Sequence, residues 1–220
     1  MERNRHVIFF RHYFRDFFDK QSEKVQEKID DVLFLIAVAE RIPRKFFKHI
    51  EGTVGWYEIR VEYQSNIYRI FCCFDEGNVV VLFNGFQKKS QKTPPIEIER
   101  ALSIKKEYFH EKSKAGKKKN GKARKSSLTT FDEHLDKRYG RIGSAKRTEF
   151  EIKAKAFAIG EIIREERRLA SMTQEQLAEK TGTKKSFISR IENGHSDIQL
   201  STLYKLIELG LGRKISLMIQ

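Results

Sequence analysis

The sequence lacks most features of secreted, membrane-spanning and disulfide-linked proteins. Its only two cysteines, Cys72 and Cys73, are adjacent in an apolar segment, so their side chains would point to opposite faces of a strand. This placement argues against a disulfide or a metal site, and we interpret both as packing residues. No apolar run reaches roughly 18 residues, and the short apolar stretch near the start is broken by Arg, His and Asp. The sequence therefore predicts a cytoplasmic protein with no membrane-spanning helix and no signal peptide. The expectation that it has no membrane partner rests on the nucleic-acid motifs described below.

Familiar catalytic signatures are missing as well. The chain has no recognisable Ser-His-Asp set, no cluster of metal ligands and no glycine-rich phosphate loop, because Gly52 and Gly55 are too sparse to form one. We therefore expect no bound metal and no cofactor.

What the chain has in excess is positive charge. Its 220 residues include 44 Lys and Arg against 30 Asp and Glu, a formal net charge of +14. Such an excess makes nucleic acid the leading partner class and an anionic membrane surface the second, and composition alone does not choose between them. The length also exceeds that of one ordinary domain and indicates two.

The charge is distributed unevenly along the chain. Residues 113–127 contain seven basic residues, no acid and no large apolar side chain, and so carry half of the net charge. A segment of this composition is unable to bury a core and is expected to be a flexible, self-repelling linker. The predicted organisation is therefore a first domain at 1–112, a basic linker at 113–127 and a second domain at 128–220.

The pattern of residues 1–112 predicts an α+β domain, an antiparallel sheet with helices. Residues 6–11 form a first strand, and apolar residues recur at helical spacing in residues 13–20 and 22–40. Period-two alternation in residues 56–63 indicates a strand, and residues 67–74 form a more buried one. With residues 79–86 as a third strand, and short turns between the three, the pattern predicts an antiparallel meander. Pro94 and Pro95 then open a helix that runs to about Phe109.

Residues 128–220 predict an all-α domain that ends in one strand. Thr130 and Glu133 form a capping box for a short helix closed by Gly140, and a longer helix covers residues 148–170. Two short helices follow in residues 172–194, each preceded by a threonine, Thr173 or Thr183, that is placed to cap it. The alternating tail at residues 214–219 predicts a strand that pairs with the same strand of a second copy, and so a homodimer.

The two short helices resemble the phage-repressor (Xre) type of helix-turn-helix, over more than 20 residues that end in Ser189-Arg190-Ile191-Glu192-Asn193-Gly194. The resemblance implies that the second helix enters the major groove of an operator while the start of the preceding helix approaches the backbone. The side chains that would then face DNA are Gln174, Thr183, Lys184, Lys185, Ser186, Ser189 and Arg190.

Cationic residues lie on or beside the predicted meander of the first domain. Arg60 is on its first strand and Arg69 on its second, and Lys88, Lys89 and Lys92 follow the third. Antiparallel pairing gathers such residues at one end or face, where they bind phosphate and stabilise a pentavalent phosphoryl transition state.

Three segments carry a resemblance to a toxin family. Residues 55–61 (GWYEIRV), 68–71 (YRIF) and 86–94 (FQKKSQKTP), followed by a helix with Glu97 and Ala101, resemble the HigB-like, phage Gp49-related branch of the RelE/ParE superfamily. The resemblance covers nearly all of residues 1–112 and implies a RelE-like fold. It also implies an endonuclease that cuts messenger RNA on the ribosome, with a helix-turn-helix repressor of the HigA type as its antitoxin.

The resemblance further implies a metal-independent reaction in which the RNA 2'-hydroxyl attacks its neighbouring phosphate and leaves a 2',3'-cyclic phosphate. Arg69 would stabilise the transition-state charge, because a guanidinium does not readily lose a proton, and Arg60 would add a phosphate contact. One of Lys88, Lys89 and Lys92 is a candidate acid. The sequence offers no clear match to the His and Tyr that serve as acid or base in relatives: His49, Tyr68 and Tyr108 are the nearest residues of those types.

Three functions therefore stay open. The first is a type II toxin and antitoxin in one chain, in which an RNA endonuclease is neutralised by a DNA-binding domain that represses its own promoter. The helix from Phe131, with Asp132, Glu133 and Asp136, is a candidate for covering the basic site. The second is a transcription regulator with a non-catalytic RelE-like module, and the third is a ParE-like inhibitor of DNA gyrase.

Overall fold

A computed structural model describes residues 3–89, 93–117, 127–195 and 197–215. The chain divides into two compact units, one formed by Arg3–Thr148 and the other by the chain from Glu149 onward. Within the described ranges, no helix is long and apolar enough to cross a membrane.

The first unit is a mixed α/β sheet structure. Its strands are β1 (His6–Phe10), β2 (Phe47–His49), β3 (Trp56–Tyr63), β4 (Asn66–Asp75), β5 (Val79–Lys88) and β6 (Leu128–Thr130). Its helices are α1 (Tyr13–Phe18), α2 (Glu23–Val38), α3 (Pro95–Lys117) and α4 (Phe131–Tyr139), and α5 (Ala145–Leu169) begins in this unit and continues into the second.

The described strands form one sheet of order β2-β3-β4-β5-β1-β6. Strands β3, β4 and β5 are joined by tight turns and pair antiparallel, which confirms the predicted meander. The sheet is not wholly antiparallel as expected, because β1 pairs in parallel with β5. The short strands β2 and β6, at the two edges, have no counterpart in the sequence prediction.

The two faces of the sheet pack against different helices. On one face Trp56, Phe71 and Phe83 pack against Ala101 and Ile104 of α3. On the other face the aromatic ring of Tyr68 contacts Phe17 of α1. Because successive strand residues point to opposite faces, Arg69 shares the α3 face with Phe71.

Both cysteines are free and buried in β4, as the packing interpretation predicts. Burial raises the pKa of the Cys73 thiol to about 12, and it raises that of Cys72 as well. Both thiols therefore stay protonated at neutral pH, which suits a packing role rather than metal binding or nucleophilic chemistry.

The domain boundary differs from the one that the sequence predicts. Helix α3 extends to Lys117, so residues 113–117 of the expected linker are helical, and residues 118–126 lie outside the described residues. Strand β6 and helix α4 belong to the first unit rather than the second. The physical reason is that the apolar side chains of α4, such as Phe131 and Leu135, are buried within this unit.

The second unit is a helical domain. Its helices after α5 are α6 (Gln174–Thr181), α7 (Lys185–Glu192), α8 (Leu200–Tyr204) and a π-helical segment, Lys205–Gly210. Leu177, Ile188 and Ile191 hold α6 and α7 together in its core. Gly182, with φ of 66°, provides the left-handed residue that ends α6. Most of the predicted C-terminal strand, residues 216–219, lies outside the described residues, so the dimer stays a prediction.

Candidate functional site

Arg60 and Arg69 lie directly opposite each other on β3 and β4. Both approach the same carboxylate oxygen, Glu58 Oε1: Arg60 Nε donates a hydrogen bond to it at 2.8 Å, and Arg69 Nε lies 3.6 Å from it. Two guanidinium groups therefore share one carboxylate oxygen, and Glu62 adds a second negative charge that acts on Arg69.

Arg69 is held in an unusual environment for a charged side chain. The residue is only 4% exposed, and its Nη1 donates a hydrogen bond to the carbonyl oxygen of Tyr68 at 3.0 Å. Burial lowers the pKa of the guanidinium, and Glu58 opposes this shift while Arg60 adds to it. Among the residues that the structure describes, none accepts a hydrogen bond from Arg69 Nε. An anion that reached this nitrogen would satisfy both the charge and the donor.

The lysines of the predicted site are placed differently from one another. Lys88 ends β5 and is partly buried, whereas Lys89 is exposed, and Lys92 lies outside the described residues. Phe86 is directly opposite Arg69, so Lys88, two residues on, is its diagonal neighbour on the same face. The structure thus brings Arg60, Arg69 and Lys88 to one face of three adjacent strands.

Two polar residues at this face were missed by the sequence prediction. The first is Glu58, whose alternation with Arg60 along β3 is the signal that marks it as part of the same face. The second is Asn84, which is fully buried and donates a hydrogen bond from Nδ2 to Glu97 Oε2 at 2.8 Å, at the start of α3. Asn84 Oδ1 has no partner among the described residues.

The candidate acids and bases from the sequence lie elsewhere. Tyr68 contacts Phe17 on the opposite face from Arg69, as its position next to Arg69 predicts. The hydroxyl of Tyr108 donates a hydrogen bond to Asp75 Oδ2 at 2.6 Å, and His49 packs edge-on against Tyr57. None of these three is brought to the arginine pair.

Helix α4 does not cover the basic site, contrary to the sequence prediction. Phe10 of β1 contacts Tyr108 on the α3 face, whereas its neighbour Phe9 contacts Phe131 of α4 on the other face. In the sheet, β5 and β1 separate β6 from β4. The helix therefore packs on the face opposite Arg69, because its apolar side contacts the aromatic residues of β1 and α1.

In the second unit, the predicted recognition surface lies on α7. Lys184, Lys185, Ser186 and Arg190 are exposed there and Ser189 is partly exposed, while Ile188 and Ile191 are buried. The exposed cations are held loosely: Lys185 Nζ lies 3.0 Å from Glu175 Oε2, and both side chains are 59% exposed. Side chains in this state are free to reorient toward a nucleic acid.

The two caps expected around the turn have different outcomes. Thr173 caps α6, as predicted, and the structure shows that it does so in a capping box with Gln176. Thr183 does not cap α7, because the helix begins one residue later than expected, with Lys184 at its N-cap position. The hydroxyl of Thr183 instead lies 3.1 Å from that of Thr181, within the turn.

A buried carboxylate, Glu192, holds the helices of this unit together. Its two oxygens receive hydrogen bonds from Arg167 at 2.5 and 2.8 Å, and Arg164 Nε lies 3.4 Å away. Gln174 Nε2 also donates to it at 2.8 Å, so this expected DNA-facing residue is engaged inside the unit. Burial alone would raise the pKa of Glu192, but the bonds from Arg167 and Gln174 keep it below its ordinary value. We infer that Glu192 fixes α7 and Gln174 relative to α5.

Among residues 3–89, 93–117, 127–195 and 197–215, no group of three or more His, Cys, Asp and Glu is arranged to hold a metal ion.

Comparisons with known families agree with this two-part organisation. Residues 16–106 match the family described as phage derived protein Gp49-like, and residues 163–209 match the helix-turn-helix family. The chain therefore combines a Gp49-like, toxin-type domain with an Xre-type helix-turn-helix DNA-binding domain. At this level the resemblances seen in the sequence are confirmed.

Among solved structures, the chain is similar to the restriction-modification controller protein C.AhdI from Aeromonas hydrophila. The two are 28% identical over 28% of this chain and 91% of that chain, with a TM-score of 0.27. No curated protein matches the chain.

Proposed function

We propose that the chain is a toxin and its antitoxin in one polypeptide. In this proposal the Gp49-like unit is a HigB-like endonuclease that cuts messenger RNA on the ribosome. The helix-turn-helix unit is a HigA-like repressor that binds operator DNA of its own promoter and restrains the toxin. The observation that supports the nuclease most directly is the arrangement of Arg60 and Arg69, which share Glu58 on one face with Lys88 as a diagonal neighbour.

The geometry supports a role for each group in a metal-independent cleavage. The 2'-oxygen attacks the adjacent phosphorus, the bond from phosphorus to the 5'-oxygen breaks, and a 2',3'-cyclic phosphate and a 5'-hydroxyl result. We assign charge stabilisation to Arg69 and Arg60, because preorganised guanidinium groups in a desolvated site stabilise a phosphorane strongly.

The proton transfers are assigned to the two other groups of this face. Glu58 contacts both arginines, and we assign it the proton of the 2'-hydroxyl. Lys88 is partly buried beside them, and we assign it the proton that the leaving 5'-oxygen takes up.

The nuclease is tested by comparing RNA ends in a translating extract. The protein added is a fragment of residues 1–148, which contains the whole sheet unit. It is added either unmodified or as one of three variants, Arg69→Gln, Glu58→Gln or Glu76→Gln. We expect new 5'-hydroxyl ends with the unmodified protein and a loss of about 100-fold or more with Arg69→Gln, as for other preorganised charge-stabilising groups. Glu58→Gln should also lose activity. Glu76, whose side chain is 79% exposed beside Lys112, is the matched control and should change nothing.

The repressor is tested by a gel-shift with DNA from upstream of the protein's own coding sequence. The Lys185→Ala, Arg190→Ala double variant should bind at least 10-fold more weakly, because each lost contact to DNA costs about 1 to 3 kcal/mol. The control is Lys153→Ala, Lys155→Ala, which removes the same charge from α5, where both lysines pair with acids one turn away. Equal binding by both variants would contradict the assignment of α7 as the recognition helix.

One observation favours a second candidate function. Arg69 is 4% exposed, so a phosphate contacts it only after its neighbours move. A transcription regulator whose sheet unit only docks or senses would need no such movement. Unchanged RNA ends with intact translation would support that candidate. Arrest of growth with DNA breaks and uncut RNA would support the gyrase inhibitor instead.

A further inference from the structure

Strand β6 adds to an edge of the sheet that would otherwise be open. It pairs antiparallel with β1 in the register Ile8 with Thr130, Phe9 with Thr129 and Phe10 with Leu128. The backbone N–H of Arg11 extends the ladder by donating to the carbonyl of Ser127 at 2.6 Å. Strand addition of this kind is a common way for one segment to recognise another, because the main chain supplies hydrogen bonds that an edge strand leaves unused.

Helix α4 follows β6 without a gap and packs its apolar side on the same unit. Thr130 starts the helix with a capping box, and Phe131, His134, Leu135 and Tyr139 are buried. The ring of His134 lies 5.2 Å from that of Phe9 and 4.9 Å from that of Phe18, between centroids. The strand orders the backbone and the helix buries the side chains, so the segment has both components of a specific docking element.

A buried carboxylate makes this docking selective. Asp30 of α2 has no exposed surface. It is contacted by three donors from one helix: His134 Nε2 at 2.9 Å, the Tyr139 hydroxyl at 2.9 Å and Arg138 Nε at 3.0 Å. Without α4 this carboxylate would lose every one of these partners. A segment that lacked the three donors would bury an uncompensated charge, which is strongly unfavourable.

Further ion pairs connect the helix to the rest of the unit and to the chain that follows. Arg3 donates two hydrogen bonds to Asp132, at 2.7 and 2.5 Å, and Arg138 donates one to Gln26. Arg147, in the first turn of α5, lies 2.7 Å from Asp136. Through these contacts residues 127–148 are bound to the sheet unit. They lead directly into α5, which continues along the chain toward the helix-turn-helix.

We propose that residues 127–148 are a docking segment through which the helix-turn-helix half binds the Gp49-like half of the same chain, independently of the covalent connection through residues 118–126. The inference deepens the proposed function, because it names the surface by which the regulatory half holds the toxin-like half. Docking occurs on the face opposite Arg69 and leaves the arginine pair uncovered by this segment. Asp30 is the residue that selects the segment.

The test uses the full chain with a protease recognition sequence inserted between Asn120 and Gly121. The purified protein is cut and then analysed by size-exclusion chromatography with light scattering, without RNA or DNA. We expect the two fragments to elute together in equal amounts, including at dilutions where the uncut chain is a monomer. Separation of the fragments would overturn the proposal. A third outcome is that the fragments elute together only at concentrations where the protein is a dimer and separate when dilution dissociates the dimer. This outcome would show that the segment docks on a second copy, and it would overturn the same-chain assignment.

A matched pair of variants tests the role of Asp30. Asp75 is also a largely buried carboxylate with a tyrosine and a basic partner, but its partners, Tyr108 and Lys112, belong to the same fragment as Asp75. Asp30→Asn should weaken the association of the cut fragments by about 30-fold or more, as expected when one member of a buried charge pair is lost. Asp75→Asn should leave the dissociation constant unchanged. Equal weakening by the two variants would overturn the role of Asp30.

Folding of the variants is checked in the uncut chain by the emission of Trp56, the single tryptophan, which is 3% exposed in the sheet unit. If Asp30→Asn alters that emission, Arg138→Gln repeats the test from the other fragment. It removes the charge partner and leaves the sheet fragment unchanged, and the same 30-fold weakening is expected. Because association is measured without RNA, failure of docking and failure of the nuclease are distinguishable.

Discussion

Each unit contains an acid that binds two arginines, and the two sites differ in how completely their polar groups are satisfied. In the helix-turn-helix unit, Glu192 uses both oxygens and receives bonds from Arg167, Arg164 and Gln174. In the sheet unit, one oxygen of Glu58 serves Arg60 at 2.8 Å and Arg69 at the longer distance of 3.6 Å.

This difference indicates that the Glu192 cluster is structural, whereas the Glu58 cluster has a hydrogen-bond donor left for a ligand. At Glu192 both oxygens are bonded, and a buried charge that is satisfied in this way resists change and fixes the elements that supply its donors. The Glu58 cluster retains an Arg69 nitrogen for which the described residues offer no hydrogen-bond acceptor. We therefore expect substitutions at Glu192 to lower the stability of the helix-turn-helix unit. At the Glu58 cluster we expect anionic ligands to bind.

The largest effect is expected from Glu192→Ala. This variant leaves Arg167 without its buried carboxylate and leaves Arg164 with Glu161 as its remaining acidic partner. It should therefore lower the free energy of unfolding of the helix-turn-helix unit by about 3 to 5 kcal/mol. Urea denaturation followed by circular dichroism reports the loss of helix, while Trp56 emission reports the sheet unit. The helical transition should move to lower urea, and the Trp56 transition should stay in place.

The control for this variant is Glu175→Ala, which removes an exposed acid from the same unit. Its urea transition should match that of the unmodified chain. If both variants shifted the helical transition equally, the Glu192 cluster would have no special structural role.

Acid should weaken the helix-turn-helix unit through the same residue. The pKa of Glu192 in the folded unit lies below its ordinary value of 4.5. Its contribution to stability is therefore fully present above about pH 4.5 and is lost as the pH falls through the folded pKa. The measurement is the difference in thermal midpoint between the unmodified chain and Glu192→Gln. That difference should shrink on acidification from neutral pH, and a constant difference would contradict a titrating role.

The sequence was sufficient to predict elements that depend on local patterns. The alternation of residues 56–63, with the strands and turns that follow to Phe86, predicted the meander. The capping box at Thr130 and the cap at Thr173 predicted the starts of α4 and α6. Each of these features is determined by residues within a few positions of one another, where side-chain period and capping chemistry act directly.

Features that depend on distant residues were not predictable in this way. Strands β2 and β6 have three residues each, too few to show a period, and their pairing is set by partners far along the chain. Asp30 and the donors of α4 are about a hundred positions apart, so no local pattern shows their contact. The sequence prediction therefore placed α4 in the second domain, whereas the structure places it in the sheet unit. Glu58 is a different case: its alternation with Arg60 is visible in the sequence, but its contact with Arg69 depends on the pairing of β3 with β4.

Inorganic phosphate should raise the thermal stability of the sheet unit and leave that of the helix-turn-helix unit unchanged. If phosphate binds beside Arg60 and Arg69, a concentration ten times its dissociation constant adds about 1.4 kcal/mol to the stability of that unit. The Trp56 thermal transition should then rise by a few degrees against potassium chloride of equal ionic strength. Arg69→Gln should abolish the rise. A rise of equal size in this variant would show that phosphate acts without the arginine pair.

The smallest effect is expected at the exposed pair of Lys185 and Glu175, which is the opposite extreme from Glu192. Both side chains are 59% exposed, so the pair contributes no more than about 1 kcal/mol to stability. Glu175→Ala should instead strengthen DNA binding at low salt by a small factor, because it removes a negative charge beside α7 and frees Lys185 for a phosphate. A gel-shift series at rising salt should show the advantage disappear as the charges are screened. Loss of more than about 2 kcal/mol of unfolding free energy would instead give this pair a structural role like that of Arg167 with Glu192.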